Sequence, residues 1–355
     1  RFPILTTVYF GGPDHYAHDI GLNGSAGGYS GYRDYFRRKT DAEIKQVIDK
    51  LKELDEFDNK LFIITADHGM TEMATDLTYV DPYDDSIQPA EMSCKLNLKG
   101  FNREDVQNPE LANNNLHIWE MGNLFTQFPS PYPEIELKVL SPKEISNVIE
   151  GATADINQAS IIAALNGPMA HIYIKGVDWN ADPDPAFLDL VLNRLYMVFK
   201  EGSNATGSFG EKVREHFPRL SSSIDAILLR TTLNSEYKVY AGDLNNSNEY
   251  IKAIDRINGM NHPKRSGDIV LIMKDDMSDI NQRYTTGVSC KSWHGSLNRS
   301  DSYVPLIVAY PGGNRTELEP FINATSGCSV EQGCDGNWRV TDLIKKIVET
   351  QYQGQ

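Results

Sequence analysis

The sequence predicts an α/β protein, a doubly wound and mostly parallel sheet interrupted by an inserted α+β cap, and three observations lead there. Residues 61–70, LFIITADHGM, are an apolar run that stops at Asp67, His68 and Gly69. Such a run suits a strand buried on both faces of a parallel sheet. An amphipathic helix pattern separates it from an earlier strand-like run at 4–10, which is the order of a right-handed βαβ unit. Two more apolar runs, 268–273 and 304–310, return near the other end of the chain.

Taken in order, residues 4–10 read as a short strand and 12–21 as a polar stretch able to coil into a helical turn after Pro13. Residues 23–32, rich in Gly, Ser and Tyr, read as a surface loop. Their glycines would suit a phosphate cradle, but the Gly-Lys-Ser/Thr of a P-loop is absent. Thr40 and Glu43 make a capping box ahead of Ile44, Val47, Ile48, Leu51 and Leu54, an apolar face at helical spacing that should cover the sheet. Between 79 and 261, Pro and Asn clusters separate short elements. These are a capped helix start at 141–144, a strand at 170–175, a helix from Asp184-Pro185 to about Lys200, strands at 226–229 and 237–240, and a short helix at 250–257. Val340, Leu343, Ile344, Ile347 and Val348 mark a terminal helix. The expected organisation is a core made of residues 1–78 and 262–355, wrapped around an inserted cap of 79–261.

Ligands gather beyond the carboxyl ends of parallel strands, so the Asp67-His68 pair sits where chemistry is expected. Both side chains reach one ion if the chain turns sharply, which Gly69 would permit. In YFGGPDHYAHDIG, residues 9–21, Asp14 and His18 stand four apart and share a helical face. They offer a carboxylate oxygen and an imidazole nitrogen, donors that zinc accepts. His15 and Asp19 have the same spacing, which does not choose between the pairs. Late in the chain, His294 and Gly295 lie in SWHGSLN, ahead of the 304–310 run. His117, His171, His216 and His262 have no partner at metal spacing and read as surface or packed residues. Trp119, Phe125, Phe128 and Tyr132 suit stacking on a base or filling the cap's own core.

Together, PDxxxH, DHGM about fifty residues later and a single HG near the end resemble the type I phosphodiesterase and nucleotide pyrophosphatase family of the alkaline phosphatase superfamily. The resemblance covers residues 1 to about 77 and 265 to 350, and the middle loosely. It implies an alkaline-phosphatase-like fold and two zinc ions, Asp14, His18 and His294 holding one and Asp67 and His68 the other. The order of the motifs thereby picks His18 over His15. It also implies a Thr or Ser nucleophile and a further Asp ligand well upstream of PDxxxH. Thirteen residues precede Asp14, and no Thr among them has such a context. The nucleophile is therefore expected before residue 1, the second metal site is expected to be incomplete, and this stretch alone should be slow. Two ions about 3.5–4 Å apart would clamp the attacking and leaving oxygens of an in-line phosphoryl transfer. The implied substrate is a small phosphodiester or nucleotide. Phosphomonoesters or other phosphoryl and sulfuryl esters are the alternative within enzymes, and a catalytically dead binding protein is the alternative outside them.

Composition narrows the partners. The 355 residues, 40% apolar, suffice for one large domain or two smaller ones, and the formal net charge of −15 argues against binding a nucleic-acid duplex. No stretch approaches the roughly twenty apolar residues of a membrane span. Of four cysteines, Cys328 and Cys334 are close enough to close a small loop, while Cys94 and Cys290 are left to pair or stay free. Sequons at Asn23, Asn204, Asn245, Asn298, Asn314 and Asn323 suit a secreted, extracellular or periplasmic glycoprotein. No signal peptide is visible, and the sequence begins at Arg1 rather than at a methionine.

Overall fold

A computed structural model describes residues 5–72, 137–140, 159–166, 168–204, 224–245, 250, 252–274, 292–336 and 339–352. The expected helix start at 141–144, His117, His216, Trp119, Phe125, Phe128, Tyr132, Cys94 and Cys290 lie outside these residues. The chain divides into two compact units, one of Arg1–His15, Asn23–Gly69 and Ser300–Gln355, the other of Tyr16–Leu22 and Met70–Arg299.

In the first unit, helix Tyr32–Tyr35 runs through a π-helical turn, Phe36–Thr40, into helix Asp41–Glu53. Thr40 is not the cap that the sequence predicts. Its backbone is helical and its side chain makes no capping bond, because the chain arrives already coiled. No residue of Asp41–Glu53 is buried, so the apolar face there is only partly covered. The expected strand after it forms as Phe62–Thr65, but it pairs antiparallel with Leu306–Ala309, in register from Phe62↔Ala309 to Thr65↔Leu306. The expected strand at 4–10 is absent from its described part: residues 5–10 have no regular structure, and Leu5, Val8 and Tyr9 are exposed. A strand exists where a neighbour takes its backbone hydrogen bonds, and among the described residues none pairs with this run. Helices Arg315–Ala324 and Arg339–Tyr352 flank a short hairpin in which Cys328 and Cys334 face each other and form a disulfide. Leu343 of the last helix is buried.

The second unit is built on a six-stranded sheet in the order Leu137–Leu140, Ile161–Asn166, Met169–Ile174, Ile269–Met273, Ile224–Leu229, Lys238–Gly242. The first pair is parallel and every other pair antiparallel. The mostly parallel sheet expected from the sequence is therefore not what the described strands form. Ile269–Met273, expected to pair with the core, is instead an inner strand here, and its period-two alternation accounts for its unbroken apolar run. Ile269, Leu271 and Met273 pack with Leu188, Val191, Leu195 and Val198 of helix Pro185–Asn204, while Val270 and Ile272 pack on the other face with Tyr250, Ala253, Ile257 and Leu297. A strand covered on both faces reads as continuously apolar whichever way its neighbours run. Helix Pro185–Asn204 starts where the sequence places it, with Asp184 Oδ1 accepting the Phe187 N–H at 3.0 Å.

Candidate metal centre

Helix Gly12–Ile20 carries the first cluster. A Cβ on Gly12 would stand against the Tyr35 hydroxyl, so the Tyr35 ring would have to shift to admit one. Pro13 falls in the first turn, where a missing N–H is harmless, and the Asp14 carboxylate meets the positive end of the helix dipole. Asp14 and His18 follow one turn apart.

His18 is buried, and its Nδ1 lies 2.7 Å from the Ser292 carbonyl oxygen. A carbonyl oxygen only accepts, so Nδ1 carries the proton and Nε2 the lone pair, the arrangement that orients metal-binding histidines. The ring packs on Trp293 with centroids 4.6 Å apart and on His294 with centroids 5.2 Å apart. Trp293 and His294 lie with ring planes parallel within 3°. Strand Ser292–Trp293 pairs with Thr71–Glu72, the residues that follow DHGM. Asp14 stands one turn before His18 on the same helix, and the ligand atoms of His18 and His294, both in the second unit, lie within 4.8 Å of each other. One helical turn sets the first of these relations, and a ring contact sets the relation between the two histidines. His15 is exposed and takes no part in the cluster.

His68 repeats the pattern: its Nδ1 lies 2.8 Å from the Gly69 carbonyl, again leaving the lone pair on Nε2. That Nε2 stands 3.9 Å from Asp14 Oδ1 and 3.7 Å from Asp67 Oδ2, so the two early motifs meet. The Asp67 side chain is 63% exposed, open enough to swing onto an ion. Gly69 serves differently from the expectation. It does not adopt positive φ; instead its N–H donates to the Asp301 carbonyl at 2.8 Å, and a Cβ would overlap the Ser300 carbonyl oxygen. Gly295 is the reverse case, with φ +92° and open space around its Cβ position. The carboxylates set the local potential. The Tyr9 hydroxyl is pushed above its usual range by the Asp67 charge first, then burial and Asp14, and Tyr32 by burial first and then Asp14.

The donor types suit divalent cations: imidazoles whose lone pairs are defined at His18 and at His68, and carboxylates at Asp14 and Asp67 that set a negative potential. Sequence reasoning did not find the Ser292 carbonyl, since a backbone acceptor leaves no mark in the sequence. Trp293 was in view beside His294 but had no assigned role. His171 Nδ1 accepts the Gly267 N–H at 3.2 Å and His262 Nδ1 accepts the Lys264 N–H at 3.1 Å, which makes them packing and turn residues.

The family model described as type I phosphodiesterase / nucleotide pyrophosphatase matches residues 2–297. No curated protein and no solved structure matches the chain.

Proposed function

The chain belongs to the type I phosphodiesterase / nucleotide pyrophosphatase family, and from that premise we propose that it is a zinc-dependent hydrolase of phosphodiester or pyrophosphate bonds in small substrates, nucleotides foremost. The observation that carries the proposal is the common state of His18 and His68, each giving Nδ1–H to a backbone carbonyl and keeping the Nε2 lone pair for a metal, with Asp14 one helical turn before His18 and 3.9 Å from His68 Nε2. Asp14, His18 and His294 would hold one ion, and Asp67 and His68 would contribute to a second. When bound, the ions would supply positive charge opposite the attacking and leaving oxygens of the phosphoryl group.

The chain's own residues do the selecting. Without cations, Asp14 and Asp67 make a site that repels an anionic diester, on a protein already at −15. Occupied by cations, the same carboxylates hold the positive charge that draws the substrate in. The Cys328–Cys334 disulfide supports an extracellular or periplasmic location, because disulfides persist in oxidising compartments.

The test strips the purified protein with a chelator, reloads it with zinc and measures metal per chain, then compares bis-nitrophenyl phosphate with nitrophenyl phosphate. Zinc binding that His18→Ala and His294→Ala each remove, together with faster diester than monoester turnover, is expected. A protein that binds no zinc sinks the metal reading. Faster monoester turnover sinks the diester reading in favour of a phosphomonoesterase.

A further inference from the structure

His294 lies between two anchored pieces of chain in the second unit. On one side strand Ser292–Trp293 is paired to Thr71–Glu72. On the other, Gly295 alone separates it from Ser296, Leu297 and Asn298, all buried. That second anchor has identifiable parts. Asn298 forms an antiparallel bridge with Tyr250, and its N–H donates to Ser296 Oγ at 3.1 Å. Leu297 is packed in one cluster with Tyr250, Ala253, Ile257, Val270 and Ile272, and its carbonyl accepts from the Arg256 guanidinium at 3.4 Å. Tyr250 is itself 5% exposed, and its hydroxyl donates to the carboxylate of Asp225 on strand Ile224–Leu229. A continuous chain of contacts thus runs from the six-stranded sheet through Asp225, Tyr250 and Asn298 to Ser296, which Gly295 alone separates from His294. Gly295, at φ +92° and unobstructed, is a sharp and permissive link, so where His294 sits depends on what fixes the segment beyond it.

We propose that Tyr250, tied to the sheet by Asp225, is a positioning residue for His294, so that the six-stranded sheet helps to build the metal site. This rests on the reading of His294 as a metal ligand. The sheet's contribution is orientation: a ligand held short of its ion-binding geometry binds more weakly even when every donor is present.

The test uses the whole chain in zinc titrations against a competing chelator and in the visible spectrum of the cobalt-loaded protein. Tyr250→Phe with Asp225→Leu removes both polar partners together, leaving neither buried and unsatisfied. It should keep the metal-free melting temperature near that of the parent, weaken zinc binding about tenfold and alter the cobalt absorption. Asp225→Asn, which can still accept from the Tyr250 hydroxyl, should bind zinc like the parent. Parental zinc affinity and cobalt spectrum in the double variant overturn the proposal, as does an affinity loss that merely tracks a fall in metal-free melting. His294→Ala separates the two readings: if it leaves zinc affinity unchanged, the metal-ligand reading itself fails.

Discussion

The Nδ1 of His18 and the carbonyl oxygen of Ser292 lie 2.7 Å apart although 274 positions separate them in the chain. The bond fixes which nitrogen of His18 can meet a cation. In metal-free protein at neutral pH, nitrogen-15 NMR should find His18 with its proton on Nδ1, and added zinc should shift Nε2. A neutral ring protonated at Nε2 would remove the donor on which the site depends.

Two glycines beside the ligands should fail in different ways. Gly69→Ala drives a methyl into the Ser300 carbonyl, backbone that cannot swing aside, and should lower stability by about 1–3 kcal/mol while disturbing His68. Gly295→Ala has room but must hold φ +92°, a strain of about 1–3 kcal/mol. Asn tolerates positive φ better than Ala, so Gly295→Asn should recover part of the loss and Gly69→Asn none. Urea unfolding midpoints of the four variants decide the matter.

His171 should give the second unit an acid-sensitive step. Burial, with the Arg230 charge adding to it, lowers its pKa to about 4, and its Nδ1 accepts the Gly267 N–H, which a protonated ring cannot do. The folded value lies below the unfolded one, so the unfolded chain binds the extra proton first. Stability is then full above about pH 6.5 and falls as the pH drops toward 4, by about 3 kcal/mol in all. Asp225 and Asp268 are pushed upward, chiefly by burial, and titrate in the opposite sense, so the comparison must isolate the histidine. His171→Asn should flatten the stability curve between pH 4 and 6.5, and an unchanged slope would refute the assignment.

The sequons should not be equivalent. Asn298 is 6% exposed and bridged to Tyr250, leaving no room for a glycan, whereas Asn23, Asn245, Asn314 and Asn323 are exposed. Expressed in a eukaryotic secretory host, folded protein should carry no sugar at Asn298, and peptide mass spectrometry reads each site directly. A glycan at Asn298 would mean that this segment is open in solution, which would also weaken the support proposed for His294.

Much of the candidate site was legible in the sequence. Asp14 and His18 could be named as a pair because four-residue spacing on a helix is a local property, and metal chemistry restricts which side chains serve. The helix beginning at Asp184-Pro185 and the inner strand 269–273 were legible for the same reason: a cap and an unbroken apolar run are written in neighbouring residues. The choice of His18 over His15 needed the order of distant motifs; in the fold His18 is buried and His15 exposed.

What only the tertiary structure decided are relations between residues far apart. The direction in which Phe62–Thr65 pairs, and the sheet to which Ile269–Met273 belongs, follow from which surfaces find one another, and an apolar run is silent on that. The run at 4–10 has strand composition, yet 5–10 form no strand, since backbone hydrogen bonds require a partner that composition does not name. The sequence put a glycine after Asp67-His68 without saying why. The structure gives the reason as the Ser300 carbonyl lying against it, because close approach depends on a residue 231 positions away while turn propensity depends on the residue alone (300 less 69).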